Sequence, residues 1–147
     1  MKADIVVYDR NGQIVLIIKI KKRLGVSSEW AIKWRRNILS HGSLPDAKFF
    51  MTALPDRFYL WKNAGNLPEL VEPTFEIDAK PILKLYFDES GTSPEKIAPQ
   101  SFELIVGVWL NSLLLNQKND APKWIIQSGL SEALSGGHLD YEVVLCQ

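Results

Sequence analysis

Cysteine occurs once in the 147 residues, as Cys146, which leaves no disulfide framework and no cysteine-based zinc site to build. The histidines, His41 and His138, have no partner at ligand spacing. No apolar run reaches the roughly 18 residues that a membrane span requires, so no membrane partner is expected. Formal net charge is zero, which removes any global attraction toward nucleic acid or acidic lipid. Asp4 puts a carboxylate where a signal peptide would need its apolar stretch. The expected location is therefore the cytoplasm, a reducing compartment. Internal repeats, low-complexity tracts, glycine-rich phosphate cradles and Ser- or Cys-centred nucleophile motifs are all lacking.

What is present is globular composition, with 46% hydrophobic and 23% charged residues. The length suits one soluble α/β domain over 1–147, large enough to bury a core without metal or disulfide staples. Charge is divided unevenly along the chain. Residues 1–36 carry nine Lys/Arg against three acids, and the remainder carries eight against fourteen. Such polarity fits either a polyanion-binding face or mutual attraction between the two ends, within the fold or across a dimer.

Asp4-Ile-Val-Val-Tyr8 and Ile14 to Lys21 are rich in β-branched residues and flank Asn11-Gly12, a strong short hairpin signal. Ser27-Ser28 can cap a helix to about His41, with Glu29 in its first turn and Gly42 placed to end it. Trp30, Trp34, Ile38 and His41 recur at helical spacing and are expected to face the core. Phe49–Ala53 and Arg57–Trp61 are predicted strands joined by Leu54-Pro55-Asp56, followed by a loop from Asn63 to Pro73. Helices are predicted over Asp78–Glu89, with Pro81 in the first turn, over Ser101–Leu115, and over Trp124–Leu134, closed by Gly136-Gly137. A final strand is predicted over Tyr141–Leu145.

A two- or four-residue loop centred on Asn11-Gly12 pairs Tyr8 with Val15, Val6 with Ile17 and Asp4 with Lys19. Alternation then puts Asp4, Lys19 and Lys21 on one face and Ile18 and Ile20 on the other. The residues alone are compatible with a cross-strand ion pair on a solvated edge, where lysine blocks edge pairing. They are equally compatible with a functional cluster, because charges in so apolar a hairpin need partners.

Asp4 opening one strand, Lys19-Ile-Lys21 on the next, and a helix from Ser27 through Arg36 together resemble the PD-(D/E)xK, or restriction-endonuclease-like, superfamily. The likeness is good over the first quarter of the chain and loose beyond it. Its members hold Mg²⁺ on the Asp and on the acid of an acid-x-Lys pattern, and the lysine helps activate water for phosphodiester cleavage. The resemblance implies a mixed β-sheet flanked by helices, with Asp4 as the first metal ligand and Lys21 as the motif lysine. Lys19 stands where the second acid belongs. A divalent ion about 4 Å from that ammonium would be repelled by roughly 8 kcal/mol at an effective dielectric of about 20. The expectation is a nuclease-like domain that is catalytically inactive and carries no cofactor, with Lys19 neutralising Asp4 in place of the metal. Mg²⁺ is expected only if Glu29, from the neighbouring helix, restores the acid. The text match Pro55-Asp56 with Asp78-Ala79-Lys80 lacks strand context and is rejected.

Lys22, Arg23, Lys33, Arg35 and Arg36 surround the hairpin end and the helix, where they can track phosphates of a bound nucleic acid or form a solvated basic face. The family's usual core opens with a helix and a strand that this chain is expected to lack. The flank of the hairpin then needs cover, from the strand around Val143-Val144 or, as the first expectation, from a second copy in a homodimer. The alternative function is a protein-interaction or oligomerisation module on the same fold.

Overall fold

The computed structural model describes residues 2–42, 44–115 and 122–144. In chain order the elements are β1 (Lys2–Tyr8), β2 (Ile14–Ile20), α1 (Ser28–Ser40), β3 (Phe49–Ala53), β4 (Arg57–Lys62), β5 (Phe75–Asp78), α2 (Lys80–Ser90), α3 (Pro99–Leu115), α4 (Lys123–Gln127), α5 (Leu130–Leu134) and β6 (His138–Val144). The six strands make one mixed sheet in the order β5-β4-β3-β2-β1-β6. β2 and β3 run parallel, and the other pairings are antiparallel. Parallel neighbours need a crossover, and α1 supplies it. Among the described residues no helix is long and apolar enough to cross a membrane.

Alternation along the strands gives the sheet an apolar residue on each face, so both faces must be covered. On one face Ile5, Val7, Leu16, Ile18, Met51 and Leu60 pack against Leu83 and Phe87 of α2, Phe102, Val106 and Leu110 of α3, and the short α4 and α5. On the other, Val6, Ile17, Phe50, Tyr59 and Trp61 pack against Ala31 and Leu39 of α1.

The hairpin forms as its sequence requires, with one local departure. Gly12 takes φ 78, and the Asp9 carboxylate accepts the N–H groups of Asn11 and Gln13 at 2.8 and 3.0 Å. The turn holds an odd number of residues, so Tyr8 pairs with Ile14 instead of Val15. An irregularity between Val7 and Tyr8 then restores the expected register, with Val6 opposite Ile17.

Four other expectations are corrected. Asp78 belongs to β5 and not to the following helix, which begins at Lys80 with Pro81 in its first turn. The predicted helix over Trp124–Leu134 is broken into α4 and α5 at Gly129, whose φ of 83 is outside the helical range. α1 ends at His41, whose N–H reaches the carbonyls of Asn37 and Ile38, so Gly42 is not needed as a left-handed cap. Its fully buried stripe is Ala31, Arg35 and Leu39, one position along from the expected one, of which Trp30 and Ile38 pack half-buried against the same core while His41 is exposed.

The flank of the hairpin is covered from within the chain. β6 runs antiparallel along β1 from Tyr8↔His138 to Lys2↔Val144. The expectation of a homodimer rests on that edge needing a partner, and β6 supplies one from within the chain. Leu145, the last residue of the predicted strand, lies outside the described residues.

Candidate functional site

Asp4 lies near the start of β1, and Lys19 lies near the end of the antiparallel β2, so the hairpin carries both to the same end of the sheet. They are on the α1 face: Ile17, two residues before Lys19, belongs to that core, and side chains alternate. Lys19 Nζ stands 3.8 Å from Asp4 Oδ2, the side chains being 19% and 21% exposed. The same carboxylate oxygen accepts the backbone N–H of Ile20 at 2.6 Å. An anion four-fifths withdrawn from water is thus met by a cation and a backbone dipole, as burial of charge demands.

The surroundings of the pair are only partly legible in the sequence. Lys19 is paired in register with Thr52 of β3, a fully buried residue whose hydroxyl has no hydrogen-bond partner among the described residues. On the other side Ala3 pairs with Val143 and Ile5 with Tyr141, so Asp4 and Glu142 lie at the same level of the β1–β6 ladder. Glu142 is exposed and takes φ 52. Nothing in the local sequence around Asp4 announces either neighbour, because both arrive by long-range pairing.

Lys21 follows β2 directly, extends its pairing by donating its N–H to Ala53 O at 3.1 Å, and presents an exposed side chain. Glu29 is exposed in the first turn of α1 and pairs with Lys33 at 3.1 Å. That contact is made along the helix surface with an i,i+4 partner.

Asp4 already has a cation beside it. A cation bound at Asp4 would share its carboxylate with the Lys19 ammonium, and the Coulomb cost favours the ammonium already in place. Among the described residues no three His, Cys, Asp or Glu side chains gather as a metal group.

The basic residues divide into two kinds. Arg35 is 1% exposed, its Nη2 donating to Gly65 O at 3.0 Å and its guanidinium lying over Phe50 and Trp61, 5.9 and 5.7 Å from the ring centroids. Burial pushes its pKa below the ordinary arginine value, with Glu69 opposing. Arg35 therefore fastens the loop after β4 to α1 and is not presented to a ligand. Lys33 is exposed, while Lys22 and Arg36 are half-buried. Arg23 is exposed and lays its guanidinium 5.4 Å from the ring centroid of Trp30.

The segment joining β2 to α1 is held from below at two points. Gly25 N–H donates to Asp56 Oδ2 at 3.1 Å, and Tyr59 Oη donates to Val26 O at 3.1 Å. Asp78 Oδ1 accepts the N–H of Lys80 at 3.1 Å, opening α2. Asp56 and Asp78 thus anchor backbone, Asp78 from the end of β5, while Asp56 lies in the turn before β4 and Lys80 opens α2.

Comparison with family models, with characterised proteins and with solved structures finds no match to this chain.

Proposed function

We propose that this is a nuclease-like domain of restriction-endonuclease-like fold that has lost phosphodiester cleavage and retains nucleic-acid binding. The observation that carries the reading is the Lys19 ammonium 3.8 Å from Asp4 Oδ2. It occupies the position in which a PD-(D/E)xK enzyme holds an acid and its Mg²⁺. The order of β1, β2 and α1, with Asp4 and Lys21 near the strand ends, supports the likeness. β6 stands on the hairpin flank that the family's first strand would cover.

With Lys19 in place of the second acid, a divalent ion at Asp4 would face an adjacent ammonium, and water activation through that ion is lost with it. The Asp4–Lys19 pair then serves the sheet, and binding rests on the accessible cations Lys22, Arg23, Lys33 and Arg36, which meet phosphates without needing sequence-specific geometry. Purified protein is expected to leave DNA and RNA intact in Mg²⁺ or Mn²⁺ and to bind them in a salt-dependent way that weakens in Arg36→Ala. Mg²⁺-dependent cleavage abolished by Asp4→Ala would overturn the reading.

A protein-interaction module is the second reading, favoured by Leu104, Val108 and Leu115, which are 58%, 52% and 77% exposed on α3. Tight self-association without affinity for polyanions would decide for it.

A further inference from the structure

α1 buries Ala31, Arg35 and Leu39, and that choice turns its two tryptophans onto the flank of the helix. Trp30 and Trp34, one helical turn apart, stack with ring centroids 5.1 Å apart and planes 24° from parallel. Trp30 rests partly on the α1-side core, but Trp34 is half-buried and belongs to neither core cluster among the described residues. The part of the Trp34 ring left outside the core calls for another explanation. Arg23 adds to the cluster with its guanidinium carbon 5.4 Å from the Trp30 ring centroid. Three flat π-systems therefore form a short ladder, and the Gly25–Asp56 and Val26–Tyr59 hydrogen bonds hold the chain that carries Arg23.

The segment that carries this ladder is predominantly cationic. Between residues 21 and 36 Glu29 is the sole acid, and Lys33 pairs with it. Lys21, Lys22 and Arg23 precede Trp30 on the segment that leads into the helix and can meet an anion beside the ladder, whereas Arg36, two residues from Trp34, projects from another side of the helix. Aromatic rings in series, bordered by cations, are what unpaired bases on a phosphate backbone require: each base offers a face to stack, and the phosphates follow the positive charge. A duplex keeps its bases stacked on one another and offers such rings nothing.

We infer that the Arg23–Trp30–Trp34 edge of α1 is a stacking platform for single-stranded nucleic acid, the next base resting on Trp34. This rests on the nucleic-acid reading above and narrows it to one substrate class. The duplex has the higher charge density, so contacts to phosphates alone favour duplex over single strand. A preference for the single strand is therefore diagnostic of stacking.

The test uses the full chain, with a fluorescently labelled oligothymidine strand and a mixed-sequence duplex of the same length as probes, at low and physiological salt. The oligothymidine strand is expected to bind more tightly than the duplex and to quench tryptophan fluorescence. Trp34→Ala should weaken single-strand binding about tenfold, as loss of one base–aromatic stack does, and leave duplex binding unchanged. Trp34→Phe should recover part of the loss, and Arg36→Ala should weaken both probes alike. Thermal melts of each variant check that the fold is intact. Duplex binding equal to or tighter than single-strand binding, with Trp34→Ala silent, would overturn the platform while leaving nucleic-acid binding standing. Failure of the wild-type protein to bind either probe at low salt would remove both.

Discussion

Asp4 Oδ2 receives the Lys19 ammonium at 3.8 Å and the Ile20 N–H at 2.6 Å, so a single carboxylate oxygen joins the two strands of the hairpin through side chain and backbone. Reversing the sign of one partner gives the most direct prediction. Lys19→Glu puts two carboxylates at the same end of the sheet beside Lys21, and like charges at that distance repel. Without divalent ions the variant should melt below wild type. Addition of Mn²⁺ or Mg²⁺ should raise its melting temperature by mass action and leave wild type unmoved. Thermal melts with and without millimolar metal read both effects. A variant indifferent to metal would mean that the geometry around Asp4 does not descend from a metal site.

Arg35 gives a prediction that separates packing from binding. Arg35→Ala removes a large buried side chain from between Phe50, Trp61 and the loop at Gly65, and should cost about 3 kcal/mol, as other large-to-small core changes do. The Nε and Nη1 atoms are buried with no hydrogen-bond partner among the described residues, so the charge itself contributes little to stability. Arg35→Met, which keeps the volume and drops the charge, should recover more than half of the loss in urea melts. It should also bind oligonucleotides as wild type does. Loss of binding in a fully stable Arg35→Met protein would show that the guanidinium reaches ligand after all.

The contrast between Arg35 and Asp4 shows what the sequence could reveal. The hairpin, α1, β3 and β4 rest on local signals: Asn11-Gly12 for the turn, Ser27 as the cap whose hydroxyl accepts the Trp30 N–H, and Pro55 in the connection between strands. The Asp4–Lys19 encounter follows from hairpin register and was readable for the same reason. Which stripe of α1 turns inward is decided by the sheet it meets. Arg35 looked like a surface cation because arginine is rarely buried, yet carbonyls at residues 64 and 65 were waiting for it across nearly thirty positions. β5 leaves little local signal because Phe75–Asp78 is four residues long and leads straight into α2. Pairing of β6 with β1 joins the two ends of the chain, and no local pattern encodes that.

The β1–β6 seam depends on one close approach. Gly137 lies so near the Tyr8 carbonyl that a Cβ built on it would overlap that oxygen, a backbone atom with no freedom to swing away. Gly137→Ala should therefore push the start of β6 off β1, beside the stacked rings of Tyr8 and His138, and destabilise the protein by about 2 kcal/mol. Hydrogen exchange should show faster opening of β1 and β6 amides than in wild type, with the β3 and β4 amides protected as before. Uniform loss of protection across the sheet would instead make the seam part of the global folding unit.

Tyr59 offers a prediction with a definite sign in pH. Burial raises its phenol above the ordinary value, Arg57 pulling the other way and Glu76 and Asp56 adding to the rise. The folded protein thus holds this proton more tightly than the unfolded chain does. Its contribution to stability is complete below the unfolded tyrosine value of about 10 and is lost as pH climbs from there through the folded value. At neutral pH Tyr59→Phe should cost about 1 kcal/mol, the net worth of the hydrogen bond to Val26 O, and should loosen the segment that carries Arg23. Above about pH 10 the unfolded wild-type chain gains stability by ionising Tyr59 and the variant cannot, so the gap between the two proteins should narrow. Urea melts of both proteins on either side of that value measure the gap directly. A gap that stays constant or widens at high pH would mean that the phenol is no more acidic in the unfolded chain than in the fold, and that its bond to Val26 does not hold the proton in place.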